Sequence, residues 1–120
     1  DYEISSRKSL KAHAVRYGWC VDYPDANNSL SERFHPHNSD NIIGWDNPEF
    51  AELMDRAKSE MDVEQRQELY ERAEQILCEE ECAVIPLYFE TAQYLVKPRI
   101  KGWYHIALGG QHIRNWKLEQ

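Results

Sequence analysis

Apolar residues recur at helical spacing in two neighbouring stretches of the chain, about 48–60 and about 63–79. A spacing of three and four residues places such side chains on one face of a helix. The apolar residues of the first face are Phe50, Leu53, Met54, Ala57 and Met61, and those of the second are Leu69, Tyr70, Ala73, Ile76 and Leu77. The pattern predicts two antiparallel helices that are joined by a short turn at 61–62.

Capping residues support both predicted helix starts. Asn47 precedes Pro48; an asparagine side chain can cap a free N–H group, and a proline at the first helical position lacks an N–H that would have no helical partner there. Asp62 followed by Gln65 has the spacing of a capping box. We therefore expect both helices to begin directly after these capping residues.

Outside the helix pair, the pattern is that of strands and loops. The predicted strands are 12–17, 83–89, 91–96, 101–106 and 113–118. Pro86 lies inside the second of them, where a residue that cannot donate to a ladder requires an edge or a bulge. Residues 24–46 are polar and predict a long surface loop with a helical turn at about 30–34. Gly109 and Gly110 predict a hinge or a turn.

Residues 16–23, which we call the recognition segment, combine a glycine break with aromatic residues and one carboxylate. Gly18 ends the apolar run, and Trp19 and Asp22 follow at once. An aromatic wall beside a lone carboxylate at a strand-to-loop junction suits an amine that is held against an apolar surface. On the residues alone, plainer interpretations stay open: Asp22 as a turn-capping residue, Trp19 as core packing and Gly18 as a simple turn.

Charge is concentrated on the two predicted helices. The formal net charge of the 120 residues is −7, and residues 49–82 hold 12 acidic and four basic residues. A solvated helical face is the plain interpretation of such a balance. The absence of a basic stripe in the sequence argues against a nucleic-acid partner. We also find no secretory signal peptide and no run of 18 apolar residues in this sequence.

Catalytic and metal-binding motifs are weak. No Gly-x-Ser-x-Gly, P-loop or His-Glu-x-x-His motif occurs, so we expect neither an enzyme nor a cofactor. His35, His37 and Asp40 invite a metal interpretation, but they lie in a predicted loop and form an incomplete ligand set, so no metal is expected. Cys78 and Cys82 are four residues apart, a spacing that only marginally suits a disulfide, and both states stay open.

The recognition segment also carries a family resemblance. Gly18-Trp19-Cys20-Val21-Asp22-Tyr23 resembles the signature in the second lobe of oligopeptide-binding proteins, the extracytoplasmic receptors of peptide importers of the ABC type. Further segments resemble that family in the same order, and they are Asn47-Pro48-Glu49-Phe50, Arg66-Gln67-Glu68-Leu69-Tyr70, Ala73-Glu74-Gln75-Ile76-Leu77, Ala83-Val84-Ile85-Pro86-Leu87-Tyr88 and Leu95-Val96-Lys97-Pro98.

This resemblance implies a fold. It implies an α/β structure that is part of the second lobe of a periplasmic-binding-protein type II-like fold, with a mixed sheet and an antiparallel helix pair. Members of the family are several times longer, so the chain is expected to be a C-terminal portion of such a receptor. Residues 1–106 would belong to the second lobe, and 107–120 would form a terminal strand that returns to the first. In the isolated chain, residues 107–120 would be disordered, fold back or swap onto another copy, and self-association is the expectation in the last of these cases.

The resemblance also implies roles for the recognition segment. Asp22 would pair with the N-terminal amine of a bound peptide. Gly18 and Cys20 would offer main-chain groups to the peptide backbone, and Trp19 would line a side-chain pocket. Cys20 also resembles a family cysteine that can pair with an upstream cysteine, and because that segment is not in this sequence we expect Cys20 to be unpaired here.

Arginines and partners complete the implied function. Arg16 and Arg7 fall where the family places arginines that meet peptide carboxylates, although ordinary surface arginines are the alternative for both. The implied protein is a periplasmic peptide receptor that binds oligopeptides between two lobes and delivers them to permease subunits in the membrane. Alternatives are the same fold binding a dipeptide, a muropeptide or a nickel chelate, or a non-enzymatic interaction module with the acidic helices facing a partner.

Overall fold

The computed structural model of the protein describes residues 14, 16–41, 43–106 and 112–119. The chain divides into two compact units, 1–85 and 86–120. Over the described residues, the first unit contains the α-helices α1 (Ala26–Ser29), α2 (Ser31–Phe34), α3 (Pro48–Ser59) and α4 (Val63–Gln75), and the second contains the strands β1 (Ile100–Lys101) and β2 (Lys117–Leu118). None of the helices in these ranges is long and apolar enough to cross a membrane.

Helices α3 and α4 form the predicted antiparallel pair. Near the start of α4, Arg66 Nε donates to the carbonyl oxygen of Ala57, near the end of α3, at 3.1 Å. Near the end of α4, Arg72 Nη2 donates to Glu49 Oε1, at the start of α3, at 2.8 Å. Both observed starts agree with the sequence prediction.

Capping places these helix starts. Asn47 Oδ1 accepts a hydrogen bond from Phe50 N at 2.9 Å, and Asp62 Oδ1 accepts one from Gln65 N at 2.9 Å. Each bond satisfies an N–H group that the first helical turn leaves without a partner. The second cap is not reciprocal, because Asp62 N donates to Glu60 Oε1 at 2.8 Å instead.

The core lies between the predicted apolar faces. Its buried members are Leu30, Phe50, Leu53, Met54, Ala57, Tyr70, Ala73, Ile76 and Leu77. Trp45 closes one end, with its ring edge-on to Phe50 at a centroid distance of 4.9 Å. The prediction was wrong for Met61, which is 91% exposed because α3 ends at Ser59 and the chain leaves the helical face.

The second helix ends in a π-helical turn, which is wider than a turn of an α-helix. A π-helical turn, Ile76–Glu80, follows α4, and Glu81 N donates to Ile76 O at 3.0 Å. The Glu81 carboxylate then accepts from Trp45 Nε1 at 2.6 Å and from Asn47 Nδ2 at 2.5 Å. One acidic side chain therefore ties the end of the second helix to the start of α3.

The second unit has a small antiparallel sheet in which β1 pairs with β2. A 3₁₀ turn, Ile113–Asn115, leads into β2. Gly102 follows β1 with φ +77°, and a Cβ at this position would lie 2.2 Å from the carbonyl oxygen of Asn115. Helices with a small sheet agree with the α/β class in its coarse form, whereas no mixed sheet is formed by the residues described.

Several predicted strands are absent. Residues 83–89 and 91–96 lie outside any strand, so these two predictions were wrong. Phe89 and Leu95 are 99% and 105% exposed. An apolar run becomes a strand only when a neighbour supplies its ladder, and these runs pair with no described strand.

The remaining strand predictions were right in part or concern residues that the structure does not fully describe. The predicted strand 101–106 is reduced to β1, and 113–118 is reduced to β2 behind its 3₁₀ turn. The described residues of 12–17 form no strand. The predicted turn at Gly109 and Gly110 lies outside the described residues.

Candidate functional site

The recognition segment lies outside helix and strand and is largely exposed. The main-chain groups of Gly18, Cys20 and Val21 form no hydrogen bond with any other residue that the structure describes. A Cβ on Gly18 would meet no atom within 4 Å. The segment therefore presents main-chain donors and acceptors of the kind that an added extended chain can use.

Asn28 joins two residues of this segment through one buried amide. Its side chain is fully buried, and its Oδ1 accepts from Trp19 Nε1 at 3.2 Å and from Asp22 N at 3.0 Å. Its Nδ2 donates to Glu32 Oε2 at 2.6 Å. The tryptophan ring and the main chain of Asp22 thus share one fixed acceptor.

Glu32 extends this arrangement to the end of the segment. Tyr23 donates its phenolic hydrogen to Glu32 Oε1 at 2.5 Å. This hydrogen bond raises the pKa of Tyr23 above 10.0, because ionisation would place two anions side by side. Asn27 Nδ2 donates to the Tyr23 hydroxyl at 2.8 Å. Both ends of residues 19–23 are therefore held by short helices that follow directly in the chain.

Arg33 lies beneath the aromatic side chains of the segment and is only 6% exposed. Its guanidinium carbon is 4.1 Å from the Trp19 ring centroid and 5.1 Å from that of Tyr17, and its Nη2 donates to the Tyr17 hydroxyl at 2.5 Å. Its Nη1 lies 3.6 Å from Asp40 Oδ2. Ring faces and a carboxylate together stabilise a cation that burial would otherwise disfavour.

The structure brings only some of the predicted site residues together. Trp19 and the main chain of Asp22 meet at one acceptor, and Gly18 and Cys20 lie in the same exposed stretch. The Asp22 side chain is exposed, and no hydrogen bond or ion pair joins its carboxylate to another described residue. Arg16 is also exposed. Arg7 lies outside the described residues.

Asp25 anchors the short helices to the core unit. It caps α1 by accepting from Asn27 N at 2.8 Å, and its Oδ1 also accepts from Arg66 Nη2 at 2.9 Å and from the Tyr70 hydroxyl at 3.4 Å. The Asn27 N–H and the Arg66 guanidinium hold the pKa of this carboxyl below 3.8. The recognition segment is therefore connected to α4 through a helix cap.

Acid is expected to weaken this anchor. Because the folded pKa of Asp25 lies below its unfolded value, its stabilising contribution is complete above the unfolded pKa and is lost as pH falls through the folded pKa. Urea unfolding of wild type and Asp25→Asn should therefore give free energies that differ most near neutral pH and converge as pH falls through the folded pKa of Asp25. Asp46→Asn serves as the control, because this aspartate is exposed and its side chain forms no hydrogen bond or ion pair with the described residues. A difference independent of pH would contradict the assignment.

The histidines and cysteines form no evident centre. His35 Nδ1 accepts from His37 N at 3.2 Å, so the proton of a neutral His35 ring belongs on Nε2, which lies 3.5 Å from Asp55 Oδ1. Within the described ranges, no cluster of three His, Cys, Asp or Glu side chains could hold a metal ion. The cysteines Cys20, Cys78 and Cys82 are free thiols.

Sequence reasoning missed Asn28 and Arg33. Both lie on short helices within the predicted loop 24–46: Asn28 on α1, which was not predicted, and Arg33 on α2, which confirms the helical turn predicted at about 30–34. The available signal was Asp25, since an aspartate can cap a helix and thereby places Asn28 and Glu32 one turn apart on one face. The burial of Arg33 under aromatic rings depends on tertiary packing and left no such signal.

Comparison with known proteins gives relatives for most of the chain. No protein-family model matches it. Over 100 residues, or 83% of the chain, it is 34% identical to the oligopeptide-binding protein OppA of Bacillus subtilis. It is 34% identical over 82% of its length to the dipeptide-binding protein DppE of the same organism. It is 31% identical over 83% of its length to the periplasmic oligopeptide-binding protein OppA of Haemophilus influenzae.

These relatives are named as binding proteins, in agreement with a site that offers main-chain groups, an aromatic ring and a carboxylate. The chain belongs to the solute-binding family of oligopeptide- and dipeptide-binding proteins. It spans 18% of the length of each of these relatives.

Proposed function

We propose that the chain is part of the second lobe of a non-enzymatic peptide receptor of the periplasm, outside the cytoplasm and associated with the cell envelope. Such a receptor closes two lobes around a peptide and delivers it to the permease of an ABC-type importer. In this proposal, the chain supplies one lobe surface of the cleft, and residues 107–120 return to the first lobe. The names of the relatives, one of them periplasmic, support this assignment.

One observation carries the proposal: the main chain of 18–21 forms no hydrogen bond with the described residues and runs directly into the exposed Asp22. An extended peptide can pair with main-chain groups whatever its side chains are, which suits a receptor for many sequences. In this proposal, the Asp22 carboxylate pairs with the ammonium group at the end of that peptide. A glycine at position 18 leaves room for the peptide backbone.

The other residues of the segment have supporting roles in this proposal. Trp19 forms one wall of a side-chain pocket and is 41% exposed, so part of its ring remains available to a ligand. Cys20 contributes its main-chain groups. Arg16 and Arg7 bind carboxylates of the peptide, because a guanidinium matches a carboxylate in two parallel hydrogen bonds.

The test is calorimetric titration of the two-lobed protein that contains this chain. A tetrapeptide with a free amine is expected to bind, and the same peptide acetylated at its amine is expected to bind about 10- to 150-fold more weakly, as for loss of a hydrogen bond to a charged group. Asp22→Asn should weaken the free-amine peptide by a similar factor and leave the acetylated one unchanged.

Asp46→Asn is the matched control, since it makes the same chemical change at an exposed aspartate outside the segment. It should alter neither affinity. Equal binding of both peptides by the wild type would move the amine anchor away from Asp22. Binding of neither peptide would reject the peptide receptor.

A second candidate within the same fold is a receptor for a dipeptide, and the relative named as a dipeptide-binding protein favours it. Titration with peptides of two to five residues separates the two, since a dipeptide receptor would lose affinity as the peptide lengthens. A muropeptide, a nickel chelate and an interaction module remain the outcomes for a protein that binds no simple peptide.

A further inference from the structure

We propose that Asn28 is the positioning residue of the recognition segment and sets its preference for a free amine. This inference rests on the proposed function, because it concerns how the same site recognises a peptide. Asn28 would not touch the ligand. It would act through Trp19 and Asp22, the two residues that its Oδ1 holds.

The geometry gives this amide a fixed orientation. Asn28 has no exposed surface, and its Nδ2 donates to Glu32 Oε2 at 2.6 Å. An amide flipped by 180° would turn a donor toward the donors of Trp19 and Asp22 and an acceptor toward a carboxylate. The buried network therefore permits one arrangement, in which Oδ1 faces the recognition segment.

Holding both residues at one acceptor has a consequence for recognition. The bond to Asp22 N fixes the main chain from which the carboxylate projects, and the bond to Trp19 Nε1 fixes the ring beside it. An ammonium group is discriminated from an amide only if the carboxylate is held where the ligand amine ends. Loss of the Asn28 acceptor should therefore reduce the preference for a free amine as well as affinity.

Hydrogen exchange in the 120-residue chain tests the positioning directly. The Asp22 amide and the Trp19 indole N–H should be protected in the wild type, and Asn28→Leu should speed their exchange about tenfold, since their acceptor is gone. Asn27→Leu is the matched control, because the neighbouring asparagine donates to the Tyr23 hydroxyl and, at 3.5 Å, to Glu32 Oε1, but bonds to neither of the two hydrogens. It should leave both rates unchanged. Unprotected hydrogens in the wild type would overturn the proposal without any variant.

A paired swap guards against a variant that fails to fold. Asn28→Asp combined with Glu32→Gln reverses the donor and the acceptor between these side chains and keeps an oxygen facing Trp19 and Asp22. The double variant should recover wild-type exchange, whereas Asn28→Asp alone should not, because it opposes two carboxylates. Failure of the folded double variant to recover protection would overturn the proposal.

Peptide affinity of the two-lobed protein is the second measurement. In Asn28→Leu, the ratio of free-amine to acetylated-peptide affinity should fall about tenfold, and the double swap should restore it. Equal weakening of both peptides would assign Asn28 a structural role and overturn the proposal. Because the exchange experiment needs no ligand, a wild type that binds neither peptide would reject the proposed function separately.

Discussion

Replacing Phe50 by alanine is expected to lower the free energy of unfolding of the helical unit by about 3–5 kcal/mol. Phe50 has no exposed surface and packs edge-on against Trp45. Its removal deletes buried apolar contacts and leaves a cavity between α3 and α4. The start of α3 is fixed by its cap and cannot easily move to fill this cavity. Urea unfolding followed by circular dichroism at the helical band measures the effect.

Phe89→Ala is the matched control for this change. It removes the same atoms from a side chain that is 99% exposed, so its effect should stay within about 0.5 kcal/mol. Equal effects of the two substitutions would show that the helix pair is not packed around Phe50.

Replacing Gly102 by alanine is expected to abolish the pairing of β1 with β2. Its φ of +77° strains any residue with a Cβ, and the new Cβ would lie 2.2 Å from the Asn115 carbonyl oxygen. This oxygen belongs to the main chain and cannot rotate away, so the turn itself must move. Nuclear Overhauser contacts between Ile100 and Leu118, which face each other across the two strands, report the loss.

Gly44→Ala separates the effect of backbone strain from the effect of the steric clash with Asn115. Gly44 also has a positive φ, +67°, but a Cβ there would meet no atom within 4 Å. Its cost should be about 1–2 kcal/mol of backbone strain, without effect on the strand contacts of the second unit. If the Ile100–Leu118 contacts survive in Gly102→Ala, the main chain of Asn115 does not exclude a Cβ at position 102.

The helix pair was predictable because the signals that define each helix, its cap and its apolar spacing, lie within the helix itself and its flanking residues. Asn47 and Asp62 each cap a helix through their own neighbours, and the apolar spacing that follows is a property of a single helix. Packing then needed only two faces that were adjacent in the chain. The error at Met61 arose where the apolar spacing continued past the true end of α3.

The strands were less predictable because a strand is defined by its partner. Residues 83–89 have the composition of a buried strand, but sequence composition does not say which segment would pair with them. In the candidate site, too, some residues are recognisable from the sequence alone and others only from their tertiary contacts. Trp19 and Asp22 stood out by residue type, whereas Asn28 and Arg33 became visible only through the side chains that they contact.

Residues 83–89 and 91–96, which lie outside any described strand, have a consequence for handling the protein in solution. A hydrophobic chain without a ladder partner can template β-pairing with a second molecule, and such pairing grows with concentration. Pro86 opposes it, since proline interrupts the row of donors that a cross-β stack requires. Solubility of the chain should thus depend strongly on this one residue, which acts as a gatekeeper against fibre formation.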